Sequence, residues 1–559
     1  MSIQDILVLL PLLVAGVVSL LVLLAAAFVR RHGLAAGLTL AGFVVALASL
    51  GLAWTAAPRE VGGLLTIDRF VIFGMGLILA ASVFVTASSW AYLRGHDQAR
   101  GEYYFLLLLA SLGAMVLMAA SAFATFFLGL ELLSVSLYTL IAWRRERGAG
   151  AEAGIKYLVL AGVTSAFLLF GMALIYAASG SMEISRVALG TAGGKSPADG
   201  ILAVVGLGMI MVGLGFKLAV VPFHLWTPDI YDGAPAPVAG YIATVSKGAV
   251  TVLLVRLLVP IGADSFVAPG GSGGAFPWVF TIIAGLSMFV GNLLALRENN
   301  VKRILAYSSI AHLGYLLVAF VAGGTLAVRA VSFYLVAYFA MKLAAFAVVA
   351  ALSTPEKEAD MIEDYVGLAA RSPWLTGVFT ASLLSLAGLP FTAGFVGKFI
   401  ILSAGAGAQL WTLIIILAVN GTISIFYYIR VVSAMYRSRE GSVSAGQAVR
   451  QPLLTGLSLA VLTLVVVALG VYPSPMLSLI GLFTGPLGEP PGRQGRGATR
   501  RWCRRPGRPW RRHYFQSSSA ATSSRVTGFP MRCIAKPKFS RDPRRMQPAR
   551  TPSSSRYFS

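Results

Sequence analysis

Six titratable side chains stand inside long apolar stretches. Glu131 lies in FFLGLELLSVSLYTL, Lys217 and His224 in VGLGFKLAVVPFHLW, Lys247 in YIATVSKGAVTVLL, His312 in SSIAHLGYLLVAF and Lys398 in LAGLPFTAGFVGKFIIL. A charge at the centre of a membrane helix costs about 2.5–3.5 kcal/mol on insertion scales, so it is kept where it meets a polar cavity or a partner. One acid, three amines and two imidazoles suggest proton relay. In low dielectric surroundings an ammonium is disfavoured against the neutral amine, and a nearby carboxylate reverses that preference. An amine whose anion can move away therefore alternates between holding and releasing a proton, and imidazoles and water can bridge such stations. The competing reading is static ion pairing or snorkelling to the headgroups. Glu131, Lys217 and Lys247 lie deepest and favour the relay, as does Lys398. Lys156, Arg256 and Arg430 lie near predicted helix ends, where snorkelling accounts for them. Lys342 is deep and has no evident partner.

Two of these stretches are interrupted. Gly213, Gly215 and Pro222 surround Lys217; Gly388, Pro390, Gly394 and Gly397 precede Lys398. Proline removes a backbone donor and frees a carbonyl, which lipid tolerates only where protein or water satisfies it. A pair of Gly/Pro-broken spans five helices apart, each with a lysine, points to an inverted repeat with an ion pathway at mid-membrane. Lys217 and His224 are seven residues apart, two turns on one face of an unbroken helix, and the Pro222 break leaves that facing open.

The elements that hold these residues follow from composition. The chain has 559 residues, 57% hydrophobic and only 12% charged; soluble domains are about a quarter charged. This excludes an ordinary soluble enzyme and a disordered chain. Apolar runs of the length a span requires give about fourteen transmembrane helices, near 5–29, 34–55, 70–93, 103–120, 122–143, 154–178, 200–220, 236–259, 277–296, 303–322, 328–352, 374–400, 410–436 and 452–472. The expected fold is an all-α polytopic membrane protein. Only Ser121 and small neighbours separate the fourth run from the fifth. The first run lacks a basic leader and a small-residue cleavage site, so it reads as a retained helix.

Loop cations set the orientation. Arg30, Arg31, Arg94, Arg100, Arg144, Arg145, Arg147, Arg297, Lys302, Arg303, Lys357, Arg371, Arg437, Arg439 and Arg450 fall on one side; Arg59, Arg69, Arg186, Lys195 and Arg329 fall on the other. The first set is assigned to the cytoplasm, which puts the N-terminus on the outer, periplasmic side. The net charge of +23 is not a nucleic-acid signal for the body, because residues 493–559 hold 18 Lys and Arg against one acid, Asp542. The tail also holds both cysteines, Cys503 and Cys533, so the body has no thiol for a disulfide, an iron–sulfur cluster or a cysteine-bound zinc. This basic tail reads either as a polybasic segment for anionic lipid or nucleic acid, or as a disordered or artefactual extension. Its composition and its place after the fourteenth span, facing outward, favour the second. No Walker A or dinucleotide fingerprint is present, and the glycine-rich 270–275 is a loop between spans. The chain alone is expected to carry protons or ions, not electrons, and to hold no metal.

GLELLSVSLYTLIAWRR (129–145), AEAGIKYLVLAG (151–162), FKLAVVPFHLWTPDIYDGAPAPVAGYIATVSK (216–247), NNVKRILAYSSIAHLGYLLVA (299–319) and SLAGLPFTAGFVGKF (385–399) resemble the subunit N family of bacterial respiratory NADH–quinone oxidoreductase, complex I. That family is the counterpart of mitochondrial and chloroplast subunit 2 and is related to Mrp-type cation/proton antiporters. The resemblance covers roughly residues 5–475. It implies fourteen helices with two inverted five-helix repeats, here about 103–259 and 277–436, and broken helices 7 and 12, within an antiporter-like domain of residues 1–484. It implies that Glu131 pairs with Lys217, that Lys247 is the central lysine of helix 8, and that Lys398 stands near the outward exit. His224 and His312 match the polar mid-membrane axis, and Lys156 a sixth-helix lysine supporting the inward half-channel. Lys342 is a departure, since a neutral residue is expected there; it either adds a cation to the second repeat or snorkels. The tail from 485 has no counterpart, which favours the artefactual reading. The implied function is proton translocation across the cell inner membrane, with NADH, FMN, iron–sulfur clusters and quinone held by partner subunits. The implied partners are those subunits and the lipid bilayer, with no nucleic acid. The alternative is an Mrp-type antiporter subunit. The GAPAPVAGYIATVSK stretch and the modest body length favour subunit N.

Overall fold

The computed structural model describes residues 2–29, 31–94, 100–144, 148–184, 197–258, 276–438 and 452–484. The basic tail with Cys503 and Cys533, the 270–275 loop and the loop cations Arg30, Arg145, Arg147, Arg186, Lys195, Arg439 and Arg450 lie outside the described residues. The chain divides into two units, Met1–Arg493 and Gln494–Ser559; everything below concerns the first.

Its elements are helices, as uninterrupted apolar sequence in a medium without water requires. They run α1 (Ile3–Phe28), α2 (His32–Ala56), α3 (Arg69–Leu93), α4 (Arg100–Ala119), α5 (Phe123–Ile141), α6 (Gly148–Ser179), α7 (Pro197–Leu218) and α8 (Trp226–Gly233). Next comes α9, built from Ala236–Tyr241, a π-helical turn Ile242–Ser246 and Lys247–Leu258. Then follow α10 (Phe276–Arg297), α11 (Val301–Ala322), α12 (Gly324–Leu352), α13 (Pro373–Ala387), α14 (Ala393–Gly407), α15 (Trp411–Tyr436), α16 (Leu453–Val471) and α17 (Ser474–Thr484). Among the described residues 13 helices are long and apolar enough to cross a membrane. The short pair α13 and α14 divides one further crossing between two pieces. The separation at Ser121 is real: α4 ends at Ala119 and α5 begins at Phe123. The chain is not wholly helical, since β1 (Arg59–Val61) and β2 (Leu65–Ile67) form an antiparallel hairpin between α2 and α3. Its turn holds Gly62 and Gly63, both at positive φ.

Lipid-facing and buried helices differ clearly. Among the described spans α9, α11 and α12 are the most enclosed, while α1, α6, α10, α15 and α16 present Leu, Val, Ile and Phe outward. Lys247, His312 and Lys342 sit on these enclosed helices, whereas Glu131, Lys217 and Lys398 sit on α5, α7 and α14.

The two predicted breaks have different anatomies. The α13–α14 break falls where the glycines and proline place it: Gly388 takes φ +84° as the cap of α13, a left-handed conformation suited to glycine. Gly394 lies so close to the Ser385 carbonyl that a Cβ would stand 1.8 Å from it. The other break begins four residues ahead of Pro222, at the carbonyl that proline's ring crowds and that its missing N–H cannot bond. α7 stops at Leu218, Ala219 has φ +58°, and the chain reaches α8 only at Trp226. Lys217 and His224 thus do not share one helix.

Candidate polar axis through the membrane core

α5 carries Glu131 and, one turn later, Ser134. Residues three apart on a helix share a face, and this places both toward α6 and α7. The Ser165 hydroxyl of α6 donates to Glu131. Lys217, in the last turn of α7, donates to the Ser134 hydroxyl at 2.6 Å and the Tyr157 hydroxyl at 3.1 Å, and its amine lies 5.1 Å from the centre of the Tyr157 ring. The direct Glu131–Lys217 ion pair expected from the family resemblance is not formed in this structure. Ser134, on the Glu131 face of α5, takes the amine instead, and Ser165 occupies the carboxylate.

Around Lys217, Tyr157, Phe216 and Trp226 pack with ring centres 5.1–6.0 Å apart, and the Trp226 indole donates to the Phe216 carbonyl freed by the end of α7. Beyond them the segment 224–231 holds three buried polar atoms without a protein partner: His224 Nδ1, Thr227 Oγ1 and the Tyr231 hydroxyl. Buried polar groups are ordinarily satisfied by protein or ordered water. The Tyr231 ring lies 5.6 Å from the amine of Lys247, so this segment joins the surroundings of the two lysines.

Lys247 follows immediately on the π-helical turn of α9, a local widening of the helix often found at functional positions. Its amine donates to Ser309 at 3.0 Å, and Ser309 is hydrogen-bonded to the Tyr338 hydroxyl. Tyr338 also packs on the His312 ring. His312 shares hydrogen bonds with Tyr334 through Nδ1 at 2.6 Å and with Tyr428 through Nε2 at 3.5 Å, and packs edge-on against Tyr315. Lys398 lies 4.9 Å above the same Tyr315 ring. It donates to the Ala387 carbonyl at 2.8 Å and the Leu386 carbonyl at 3.3 Å. These are carbonyls at the end of α13, freed by the helix break. The break and the lysine thus satisfy each other, as the sequence pattern requires.

Lys217, Lys247, His312 and Lys398 are therefore strung along one buried row, with half-buried Glu131 at its start and His224 in the α7–α8 break. Lys156 is elsewhere. Its side chain is 43% exposed and pairs with Glu152 at 2.7 Å and Asp229 at 3.0 Å, at the end of α6 and outside the row. Asp229 also pairs with Arg303 at 2.9 Å, so one carboxylate of α8 ties α6 to α11. Arg256 and Arg430 are held by protein groups. Arg256 pairs with Asp68 at 3.4 Å and donates to the Met118 and Ala120 carbonyls; Arg430 donates to those of Leu296 and Glu298.

Sequence reading missed the hydroxyls. Eleven of the twelve largest fully buried side chains are tyrosines, and Tyr157, Tyr231, Tyr315, Tyr334, Tyr338 and Tyr428 lie along the row. The signal was available: Tyr334 and Tyr338 are one helical turn apart, and Ser308–Ser309 interrupt an apolar run. Lys302, assigned to a cytoplasmic loop, is fully buried in the first turn of α11. It pairs with Glu358 at 3.2 Å and donates to the Asp232 and Ala234 carbonyls, while Glu358 accepts from the Ala236 amide at the start of α9. Among the described residues no cluster of three or more His, Cys, Asp or Glu could hold a metal ion.

A predominantly helical membrane domain with interrupted helices and a buried row of amines, imidazole and hydroxyls has the build of the antiporter-like proteins. Comparisons with known proteins narrow that class. Residues 120–424 match the family described as NADH:quinone oxidoreductase/Mrp antiporter, transmembrane. A relative from Ectopseudomonas mendocina (strain ymp), NADH-quinone oxidoreductase subunit N, is 45% identical over 486 residues, covering 85% of this chain and 96% of its own length. A chain of respiratory complex I from Thermus thermophilus superposes with a TM-score of 0.70 at 32% identity, covering 84% of this chain and 98% of that one. A chain of the Mrp complex from Dietzia sp. DQ12-45-1b gives a TM-score of 0.75 at 20% identity, covering 88% and 98%; this likeness speaks for the fold alone. The chain belongs to the NADH-quinone oxidoreductase subunit N family.

Proposed function

We propose that this chain is a proton-translocating membrane subunit of an NADH–quinone oxidoreductase, coupling electron transfer in other subunits to proton movement across the membrane. The observation that carries the reading is the row from Glu131 to Lys398. Its three amines rest on hydroxyls or helix carbonyls and not in direct carboxylate pairs. An amine held this way can lose its proton without leaving an anion uncompensated. Glu131 stands one turn from the Ser134 that holds Lys217, so a shift of α5 against α7 changes how strongly the carboxylate favours the charged amine. Lys217, Lys247 and Lys398 then carry the proton in turn. His312 and the tyrosine hydroxyls bridge the second half, and His224 borders the first. Lys156, at the end of α6, supports the row from outside.

The electron-carrying groups (NADH, FMN, iron–sulfur clusters and quinone) belong in this reading to partner subunits. The chain lies in the cell membrane within the lipid bilayer, binds no nucleic acid, and has its N-terminus on the periplasmic side, as the loop cations suggest. Its core is two inverted five-helix repeats, about 103–259 and 277–436, supported by the two helix breaks. The match that uses 96% of the relative but 85% of this chain supports placing the surplus in the tail 485–559. An Mrp-type assembly is the weaker reading, since that likeness rests on fold.

The test is purification of the native complex. The chain is expected to co-migrate with NADH–quinone reductase activity, and vesicles carrying it to take up protons on NADH addition. Migration apart from that activity refutes the reading.

A further inference from the structure

Lys342 of α12 is as deep as any residue of the row, with 0% of it exposed. It does not snorkel. Its amine donates to the Ser308 hydroxyl at 2.6 Å and the Leu305 carbonyl at 2.7 Å, 5.8 Å from the centre of the Tyr338 ring. Lys247 donates to Ser309, the very next residue of α11. Two buried amines are thus hung on consecutive serines. Among the described residues no carboxylate forms an ion pair with either. One unpaired ammonium in such a place is already costly, and a second beside it adds like-charge repulsion that the low dielectric magnifies. The site therefore favours one proton for two amines, which is the condition for exchange between them.

We propose that Lys342 is an additional proton carrier, which takes the proton from Lys247 and presents it to the His312 end of the row. This rests on the reading of Lys247 as a carrier. In the step, an N–H bond of the Lys247 ammonium breaks and its proton passes to the Ser309–Tyr338 hydroxyl pair. That pair releases one of its own protons to the lone pair of neutral Lys342. One proton moves, no electrons are exchanged, and both hydroxyls keep their composition. One gap must be crossed, between the Ser309–Tyr338 pair and the Lys342–Ser308 pair. Tyr338 and Lys342 are one turn apart on α12, and the flexible lysine stem supplies the reach. His312, packed on Tyr338 and bonded to Tyr334, is the next group along.

The purely structural account is that Lys342 pins α12 to α11 through the Leu305 carbonyl. Lys342→Gln and Lys342→Arg, introduced in the whole complex, separate the two. Glutamine retains a donor for that carbonyl but carries no proton; arginine retains the cation but is effectively never deprotonated. Each is measured for NADH-driven proton uptake in vesicles, with complex content read from a native gel and Lys247→Ala run in parallel. Both Lys342 variants are expected to lower uptake by about a hundredfold, the lower end of what one proton-transfer group contributes, at normal content. Uptake within a few-fold of the unaltered protein in either variant overturns the proposal. If Lys247→Ala leaves uptake intact, the relay reading itself fails; if Lys247→Ala is impaired and the Lys342 variants are not, only this inference fails. Should neither Lys342 variant assemble, Ser308→Ala decides. It removes the hydroxyl that holds the Lys342 amine and leaves Lys247, Ser309 and Tyr338 in place, so lowered uptake at normal content supports Lys342 as a carrier and undiminished uptake overturns it.

Discussion

Gly388→Ala tests whether the α13–α14 break positions Lys398 or merely interrupts a helix. Alanine at φ +84° incurs the left-handed strain of an L-residue, about 1–2 kcal/mol. Its Cβ would stand 2.9 Å from Cδ of Lys398, 3.0 Å from Nζ and 3.3 Å from Cε. The lysine must retreat by several tenths of an ångström, and its 2.8 Å bond to the Ala387 carbonyl lengthens or breaks. A hydrogen bond to a charged group is worth about 1.5–3 kcal/mol. If that loss falls on the proton-carrying step, where each 1.4 kcal/mol is about tenfold, the rate drops between about tenfold and a hundredfold. The assay is NADH-driven proton uptake in inverted vesicles, normalised to complex content on a native gel. Gly377→Ala is the control, because nothing lies within 4 Å of its Cβ and alanine suits a helix interior better than glycine. Gly388→Asn separates the two costs, since asparagine tolerates the left-handed conformation but its Cβ still meets Lys398. It is expected to restore content more than uptake. If Gly388→Ala matches Gly377→Ala in both measurements, the break does not position the lysine.

Lys217→Ala and Lys217→Arg are both expected to impair uptake at normal content, because the first removes the carrier and the second cannot release its proton; normal uptake in Lys217→Arg would identify a structural cation. Lys302→Ala strands buried Glu358 and is expected to cost about 3–5 kcal/mol, the usual loss on breaking a buried pair, seen as reduced complex on a native gel. Lys302→Met with Glu358→Gln should recover much of it, and wild-type content in the single variant would count against the pair. A reporter fused within 144–147 should read as cytoplasmic and one within 183–199 as external, the reverse pattern indicating a miscounted helix. Removing residues 493–559 should leave assembly and uptake unchanged, and failure to assemble would assign the tail a role.

The charges inside apolar runs were legible because each is expensive there, and cost is visible in one dimension. Glu131, Lys217, Lys247 and Lys398 needed no structure to be singled out, nor did the break ahead of Lys398, whose Gly388 and Pro390 act locally. Partners were not legible. Whether a lysine faces a carboxylate or a hydroxyl depends on helix rotation, which apolar periodicity on an all-apolar helix does not record. Hence Ser134 and not Glu131 meets Lys217, and Arg256 finds Asp68 across two elements. Lys302 was misplaced for a related reason. It sits at a polar boundary in the sequence, but the 353–365 segment folds over it through Glu358, a contact between residues far apart in the chain. The end of α7 at Leu218 also has a local cause, since Pro222 cannot donate to the Leu218 carbonyl and its ring crowds it; the positive φ of Ala219 that follows was not legible.

On the transfer proposed above, the hydroxyls of the second half would impose an order of events. A hydroxyl that accepts a proton on one side and surrenders another on the opposite side finishes pointing the wrong way for a repeat. Ser309 and Tyr338 must each turn about their C–O bonds before another proton can follow. In that reading the row would behave as a turnstile, passing a single proton and then refusing traffic until it has been reset. A wire of continuous water would reset almost freely in either direction. A turnstile of side chains is reset by whatever moves those side chains, so the helix movements that drive the subunit would also meter it, and backflow between strokes would be slow.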